Sequence, residues 1–95
     1  LGETAYVRRL RRLIQTERPR FLEGLRQLGL EVIPGEANYL LFQSQTPLVS
    51  PLRERGVLLR SCANYEGLDE TWYRTAVRTH EENQRLLTAL KEVFL

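Results

Sequence analysis

Two arginines in the second half of the chain are the residues best suited to chemistry. Arg74 lies inside the alternating run WYRTAVRT (72–79), a pattern typical of a β-strand, and Arg60 ends the short run VLLR (57–60). A guanidinium is costly to bury without a partner, so Arg74 must face water or an anion. Two arginines on one sheet edge or face would suit a doubly anionic small molecule, because each can hold a carboxylate or phosphate through two parallel hydrogen bonds.

The alternative is that both arginines are paired within the chain. The turn-rich stretch SCANYEGLDE (61–70) offers three acidic partners: Glu66, Asp69 and Glu70. The pattern alone leaves an internal ion pair and an external anion equally open. Arg78 shares the alternation phase of Arg74 but stands next to the start of a predicted helix, so we expect it to be partly solvated and structural.

Other chemistry is sparse in this sequence. Cys62 and His80 are the only cysteine and histidine, neither has a supporting third group, and no metal-ligand spacing is present. We expect His80 to be a surface residue of the last helix and Cys62 to be a buried or loop residue. The arginine-rich run 8–12 could contact nucleic acid or acidic lipid, although a solvated helix face explains it as well.

Composition places the chain among ordinary globular domains. It has 95 residues, 42% of them hydrophobic and 27% charged, with a formal net charge of +2 that is too small to argue for nucleic acid. One cysteine cannot build a disulfide framework, which favours a reducing compartment such as the cytoplasm. No apolar run reaches the roughly 20 residues that a membrane helix needs. The chain begins with Leu1, and we expect it to be part of a longer protein.

The first half predicts one long helix and a hairpin. Apolar residues recur at helical spacing from Thr4 to Leu28, so residues 1–28 are predicted as a long N-terminal helix, kinked at Pro19 and ended by Gly29. The runs LEVI (30–33) and ANYLLFQ (37–43) predict strands, separated by the turn former Pro34-Gly35.

The second half predicts two more strands and two helices. The run 47–56 predicts a short helix with Pro47 in its first turn, and 57–60 and 72–79 predict strands. Thr79 and Glu82 form a capping-box pattern that opens the last helix. The whole chain is then a single α+β domain, residues 1–95, with a small, largely antiparallel sheet and helices packed on one face. The other face is left open, and we expect Arg74 to lie on it.

The segments EVIPGEANYLLF, RSCANYEGLDETWYR and VRTHEENQRLL carry a resemblance that covers essentially the whole chain. They resemble the C-terminal small domain of fold-type I, pyridoxal-phosphate-dependent enzymes. The nearest branch holds histidinol-phosphate aminotransferase and the threonine-phosphate decarboxylase of cobalamin biosynthesis. The NYxGL core of the loop, and its spacing between Arg60 and Arg74, resemble the decarboxylase more.

The resemblance implies roles for three residues. Arg74 matches the arginine that binds the substrate α-carboxylate, Arg60 matches a second arginine that contacts the substrate's anionic groups, and Asn38 lies where the small domain meets the active site. The family's Schiff-base lysine and cofactor-phosphate residues belong to a large domain outside this chain, and Lys91 is no candidate for that lysine. Pyridoxal 5'-phosphate is therefore expected in the full-length enzyme and not on this chain alone.

The implied reaction of the full-length enzyme is decarboxylation of L-threonine O-3-phosphate to an aminopropanol phosphate, with this chain inactive by itself. The implied partners are a phosphorylated amino acid, the missing large domain and a second copy in a homodimer, with no nucleic acid and no membrane. Two alternatives stay open: a histidinol-phosphate-type aminotransferase, and a non-enzymatic arginine-rich binding module.

Overall fold

The structure is a computed structural model that describes residues 4–35 and 38–95. Seven elements follow one another in the predicted order of helix, strand, strand, helix, strand, strand, helix. They are α1 (Ala5–Gln27), β1 (Glu31–Pro34), β2 (Tyr39–Gln43), α2 (Val49–Glu54), β3 (Arg60–Ser61), β4 (Trp72–Ala76) and α3 (His80–Phe94). The α+β class is confirmed. Of the residues predicted in the first helix and second strand, 1–3 and Ala37 lie outside the described part.

Helix α1 is a single helix of 23 residues that runs through Pro19. Thr4 caps its N-terminus, with its hydroxyl accepting a hydrogen bond from the Val7 N–H. Gly29 follows the helix with a φ of 83°, as a residue that ends a helix in the left-handed conformation should. Only the C-terminal half of the helix enters the core, through Phe21 and Leu25. Near its N-terminus, apolar side chains of the predicted stripe stay exposed.

The four strands form one antiparallel sheet in the order β1-β2-β4-β3. Directly paired residues lie on the same face of a sheet, so the register shows which side chains share a face. Phe42 pairs with Tyr73, and both rings lie in the core with their centroids 5.8 Å apart. Leu41 pairs with Arg74, one residue further along each strand, and these two side chains lie on the opposite face.

All three helices pack on the face that carries Phe42 and Tyr73. The buried cluster joins sheet residues to both long helices and to α2, with these members: Phe21, Leu25, Leu40, Phe42, Leu48, Leu52, Leu59, Tyr73, Val77, Leu86, Leu87, Ala89 and Leu90. Tyr73 also accepts a hydrogen bond from the Leu48 N–H at 3.2 Å, which fixes α2 to the sheet. The predicted arrangement, with helices on one face and the other face open, is confirmed.

Several predicted boundaries differ from the structure, most clearly those of the third strand and of the short helix. The strand predicted at 57–60 is observed at Arg60–Ser61 only. Leu58 lines a cavity together with Thr75 and Ala76 of β4, so the two segments are separated there and are not paired. The short helix begins at Val49, so Pro51 and not Pro47 lies in its first turn. Among the described residues, no helix is both long and apolar enough to cross a membrane.

Candidate functional site

Arg60 and Arg74 lie side by side on the open face of the sheet. They are direct partners in the antiparallel register of β3 and β4, so both side chains leave the sheet on the same side. Arg74 is half-buried on the inner strand β4, whereas Arg60 is exposed on the edge strand β3. Alternation along β4 explains this placement of Arg74, because the side chains of Tyr73 and Val77, at odd-numbered positions, are buried in the core on the other face.

The third predicted residue, Asn38, joins the two arginines at one cavity. This cavity of about 390 Å³ opens on the same face and is lined by Asn38, Tyr39, Leu58, Arg60, Arg74, Thr75, Ala76 and Arg78. Asn38 stands in the turn before β2, and its carbonyl accepts a hydrogen bond from the Val77 N–H at 2.8 Å. Because Ala76 is small, it leaves space beside the Arg74 guanidinium. The geometry therefore brings all three predicted residues together around one concave, cationic surface.

The acidic residues of the intervening loop do not neutralise this cavity. Neither Arg60 nor Arg74 forms an ion pair with any other residue that the structure describes. Asp69 instead accepts hydrogen bonds from the hydroxyl and the backbone N–H of Thr71, and these bonds lower the pKa of its carboxyl group. The internal ion pair that the sequence leaves open is therefore not formed by the described residues.

Aromatic rings take the place of a counter-ion at Arg74. Its Cζ atom lies 5.2 Å from the centroid of the Tyr39 ring and 5.9 Å from that of Tyr65, within cation–π range.

Cys62 lies buried nearby, where burial raises the pKa of its thiol and the Arg74 charge partly opposes that rise. Such a thiol stays protonated at neutral pH, so it is a poor nucleophile.

Arg78 behaves differently from Arg74, as expected. Its side chain is exposed, and its guanidinium lies 3.9 Å from the Glu82 carboxylate one helical turn ahead. Its backbone N–H and C=O are both bound by the Asn83 side chain, at 3.0 Å each. Arg78 is thus a structural residue at the junction of β4 and α3.

A second polar cluster was not predicted, and it lies between the helices. We call it the Glu17 cluster: Glu17, Arg20, His80 and Asn83. Glu17 is only 4% exposed, and its carboxylate meets His80 Nδ1 at 3.0 Å, the Asn83 amide at 3.5 Å and Arg20 at 3.5 Å. His80 is exposed, as predicted, but it is also part of this network. One signal was available, since Glu17 occupies a position of the apolar stripe between Ile14 and Phe21.

The cofactor expected for the full-length enzyme does not fit this chain. A Schiff base needs a lysine amine in the site, and the only lysine of the 95 residues is Lys91. Lys91 is exposed on α3 and lines a depression with Pro19 and Gly24 of α1, not the cavity at Arg74. Nor does any described group of three or more His, Cys, Asp or Glu residues have the arrangement of a metal site. The one lysine of the sequence therefore lies away from the cavity at Arg74.

Comparison with known proteins shows the family to which the chain belongs. Residues 2–90 match the family described as aminotransferase class I and II. The chain is 41% identical over 98 residues to the threonine-phosphate decarboxylase of Salmonella typhimurium, covering 99% of this chain and 27% of that protein. It is 44% identical over 76 residues to the histidinol-phosphate aminotransferase of Methanococcus aeolicus, covering 74% of this chain and 20% of that protein. The chain therefore spans about a quarter of the length of such relatives.

Solved structures give the same result. The crystal structure of the histidinol-phosphate aminotransferase from Clostridium acetobutylicum matches with a TM-score of 0.88 and 31% identity, covering 97% of this chain and 29% of that one. The L-threonine-O-3-phosphate decarboxylase from Porphyromonas gingivalis matches with a TM-score of 0.76 and 26% identity, covering 93% of this chain and 28% of that one. Both similarities extend over nearly all of the chain.

Proposed function

The chain belongs to the class I and II aminotransferase family, and from that premise we propose that it is the substrate-binding part of a pyridoxal-phosphate-dependent threonine-phosphate decarboxylase. The 95 residues would form the C-terminal small domain and would be inactive alone. In the full-length enzyme the Cα–carboxylate bond of L-threonine O-3-phosphate breaks, CO2 leaves, and a proton takes its place to give an aminopropanol phosphate. Pyridoxal phosphate, held by residues outside this chain, supplies the electron sink for that step.

One observation carries the proposal. Arg60 and Arg74 are adjacent across the β3–β4 ladder and share a cavity, with no ion pair to another described residue. Like charges placed directly opposite each other destabilise a sheet. An anionic ligand that contacts both guanidinium groups would offset this repulsion. L-threonine O-3-phosphate carries a carboxylate and a phosphate, one for each guanidinium. In the proposal, Arg74 binds the carboxylate, Arg60 binds the other anionic group, and Asn38 shapes the cavity's rim.

The test uses kcat/KM of the full-length enzyme. Arg74→Ala should cost on the order of 2–5 kcal/mol in transition-state binding, about 30- to 5,000-fold in kcat/KM, because it removes a charge-assisted pair. Arg74→Lys should recover only part of this loss, since an ammonium lacks the planar fork of a guanidinium. Arg60→Ala should reduce kcat/KM more for a phosphorylated amino acid than for the unphosphorylated one. An Arg74→Ala enzyme with near wild-type efficiency would refute the proposal.

A histidinol-phosphate-type aminotransferase is the second candidate. It is favoured by the 0.88 TM-score and 31% identity to the Clostridium acetobutylicum enzyme. The two candidates differ in their products, so the full-length protein should be incubated with L-threonine O-3-phosphate and, separately, with histidinol phosphate and an amino acceptor. Release of CO2 with an amine phosphate supports the decarboxylase, whereas amino-group transfer without CO2 supports the aminotransferase. For either one, the resemblance supports a cytoplasmic homodimer that includes the large domain.

A further inference from the structure

Arg74 is held by aromatic rings that come from two separate parts of the chain. Tyr39 starts β2 and lies on the open face opposite Ala76, from where its ring reaches across to Arg74. Tyr65 comes from the loop between the two arginines, with its ring centroid 5.9 Å from the Arg74 Cζ atom. The structure gives Arg60 no comparable ring contact among the described residues.

The Tyr39 ring packs against the backbone at Gly35. A Cβ atom added to Gly35 would come within 2.9 Å of the Tyr39 ring, so the backbone there is packed directly against it. On the other side, the small side chain of Ala76 leaves room for the ring to lean toward Arg74. A side chain at Gly35 would force the ring to shift.

The backbone of Tyr65 is held by the hydrogen bonds of its loop. The Tyr65 N–H donates to the Cys62 carbonyl at 2.9 Å, and the Tyr65 carbonyl accepts from the Leu68 N–H at 3.1 Å. The end of the loop is tied to β2, because the Gln43 amide donates to the Thr71 hydroxyl at 2.9 Å. Tyr65 is 40% exposed, but an ordered turn places it beside Arg74.

Ring faces and carboxylates hold an arginine in different ways. A carboxylate partner would occupy the N–H donors that a ligand needs. A ring face attracts the cation through its quadrupole and accepts none of those hydrogen bonds, so the donors stay available. A guanidinium that is already ordered also loses less conformational entropy when the ligand binds.

On the proposed function as its basis, we propose that Tyr39 and Tyr65 are positioning residues for Arg74. Their rings hold the guanidinium in the orientation that receives the substrate carboxylate and leave its N–H donors free for that purpose. Arg60, exposed and without such rings, adapts to the second anionic group. The rings thus act on carboxylate recognition and not on recognition of the other anion.

The test measures ligand binding by calorimetry to the full-length protein, prepared without pyridoxal phosphate so that the substrate is not consumed. The probes are L-threonine O-3-phosphate and the aminopropanol phosphate that lacks the carboxylate. Tyr39→Leu and Tyr65→Leu should each weaken binding of the carboxylate-bearing probe by about 3- to 10-fold, whereas binding of the other probe should change less than about 2-fold. Tyr39→Phe and Tyr65→Phe should restore most of the affinity, because the ring face remains. Phe94→Leu, an exposed aromatic of α3 outside the cavity, is the matched control.

The outcomes separate this inference from the proposed function. Equal weakening of both probes, or no weakening by either leucine variant, overturns the positioning role. If Arg74→Ala weakens only the carboxylate-bearing probe while both leucine variants bind it like the parent, the proposed function stands and this inference fails. If Arg74→Ala leaves both probes bound as tightly as before, the proposed function itself fails. In the Arg74→Ala background, Tyr39→Leu should have no further effect on the preference between probes, and an undiminished effect there also overturns the positioning role.

Discussion

The domain has two polar regions that treat their charged groups in opposite ways. One is the arginine site, formed by Arg60, Arg74 and Asn38, and the other is the Glu17 cluster. In the Glu17 cluster, a carboxylate that is only 4% exposed meets a histidine, an amide and a guanidinium of the same chain. In the arginine site, two like charges lie next to each other and no described carboxylate pairs with them.

We attribute the difference to role: the Glu17 cluster serves the fold, and in the proposed function the arginine site serves a ligand. A buried polar group is tolerated when the protein supplies its hydrogen bonds, as the Glu17 cluster does for Glu17. The arginine site instead places two like charges opposite each other across two strands, and in the proposed function a bound anion offsets their repulsion. Variants in the first region should therefore lower stability, and variants in the second should lower activity while leaving stability unchanged or higher.

The largest stability effect is expected at Asn83. Its side chain accepts from the Arg78 N–H, donates to the Arg78 carbonyl and contacts Glu17, so Asn83→Ala leaves several polar groups without partners. We expect a loss of about 2–4 kcal/mol in the free energy of unfolding of the 95-residue chain. Urea denaturation measures it, with Gln84→Ala, an exposed neighbour on α3, as control. A loss no greater than that of the control would mean that the network does not hold β4 to α3.

A smaller effect is expected at Glu17. Glu17→Ala removes charge-assisted hydrogen bonds, but its partners His80 and Arg20 have exposed side chains and can be solvated in its absence. The free energy of unfolding should fall by about 1–2 kcal/mol. Glu23→Ala, on the exposed side of the same helix, should change it by less than about 0.5 kcal/mol. Equal values for the two variants would contradict a structural role for the Glu17 cluster.

The smallest effect, and one of opposite sign, is expected at Arg60. Arg60→Ser removes one of two like charges that face each other across the ladder, so the free energy of unfolding should rise by about 0.2–1 kcal/mol. The gain should shrink at high salt, because exposed charges are then screened. Arg60→Lys keeps the charge and should show no such gain. A loss of stability in Arg60→Ser at low salt would show that Arg60 serves the fold.

Local patterns in the sequence were sufficient to predict most of the fold. Gly29 ended the first helix and the Thr79 side chain caps the last one, where its hydroxyl accepts from the Glu82 N–H at 3.2 Å. The alternation of β4 correctly separated Arg74 from Tyr73. Each of these features depends on residues that are close together in the chain.

Features that depend on distant residues were missed. The Glu17–His80 contact joins positions 63 residues apart, and no local pattern specifies which residue meets a stripe-position glutamate. The Tyr39 ring beside Arg74 was missed for the same reason, since it comes from β2, which is distant in the chain but neighbours β4 in the sheet. The strand at 57–60 was overpredicted because apolar, β-favouring residues also suit an extended segment such as Val57–Leu59, in which Leu59 is buried without ladder pairing.

A crystal structure of the full-length protein with L-threonine O-3-phosphate, prepared without pyridoxal phosphate so that the ligand is not consumed, tests the central claim most directly. We predict that the ligand carboxylate accepts two hydrogen bonds from Arg74, at about 2.7–2.9 Å, and that Arg60 contacts the second anionic group. A ligand carboxylate bound by other residues, with Arg74 paired to a carboxylate of the protein, would contradict the account.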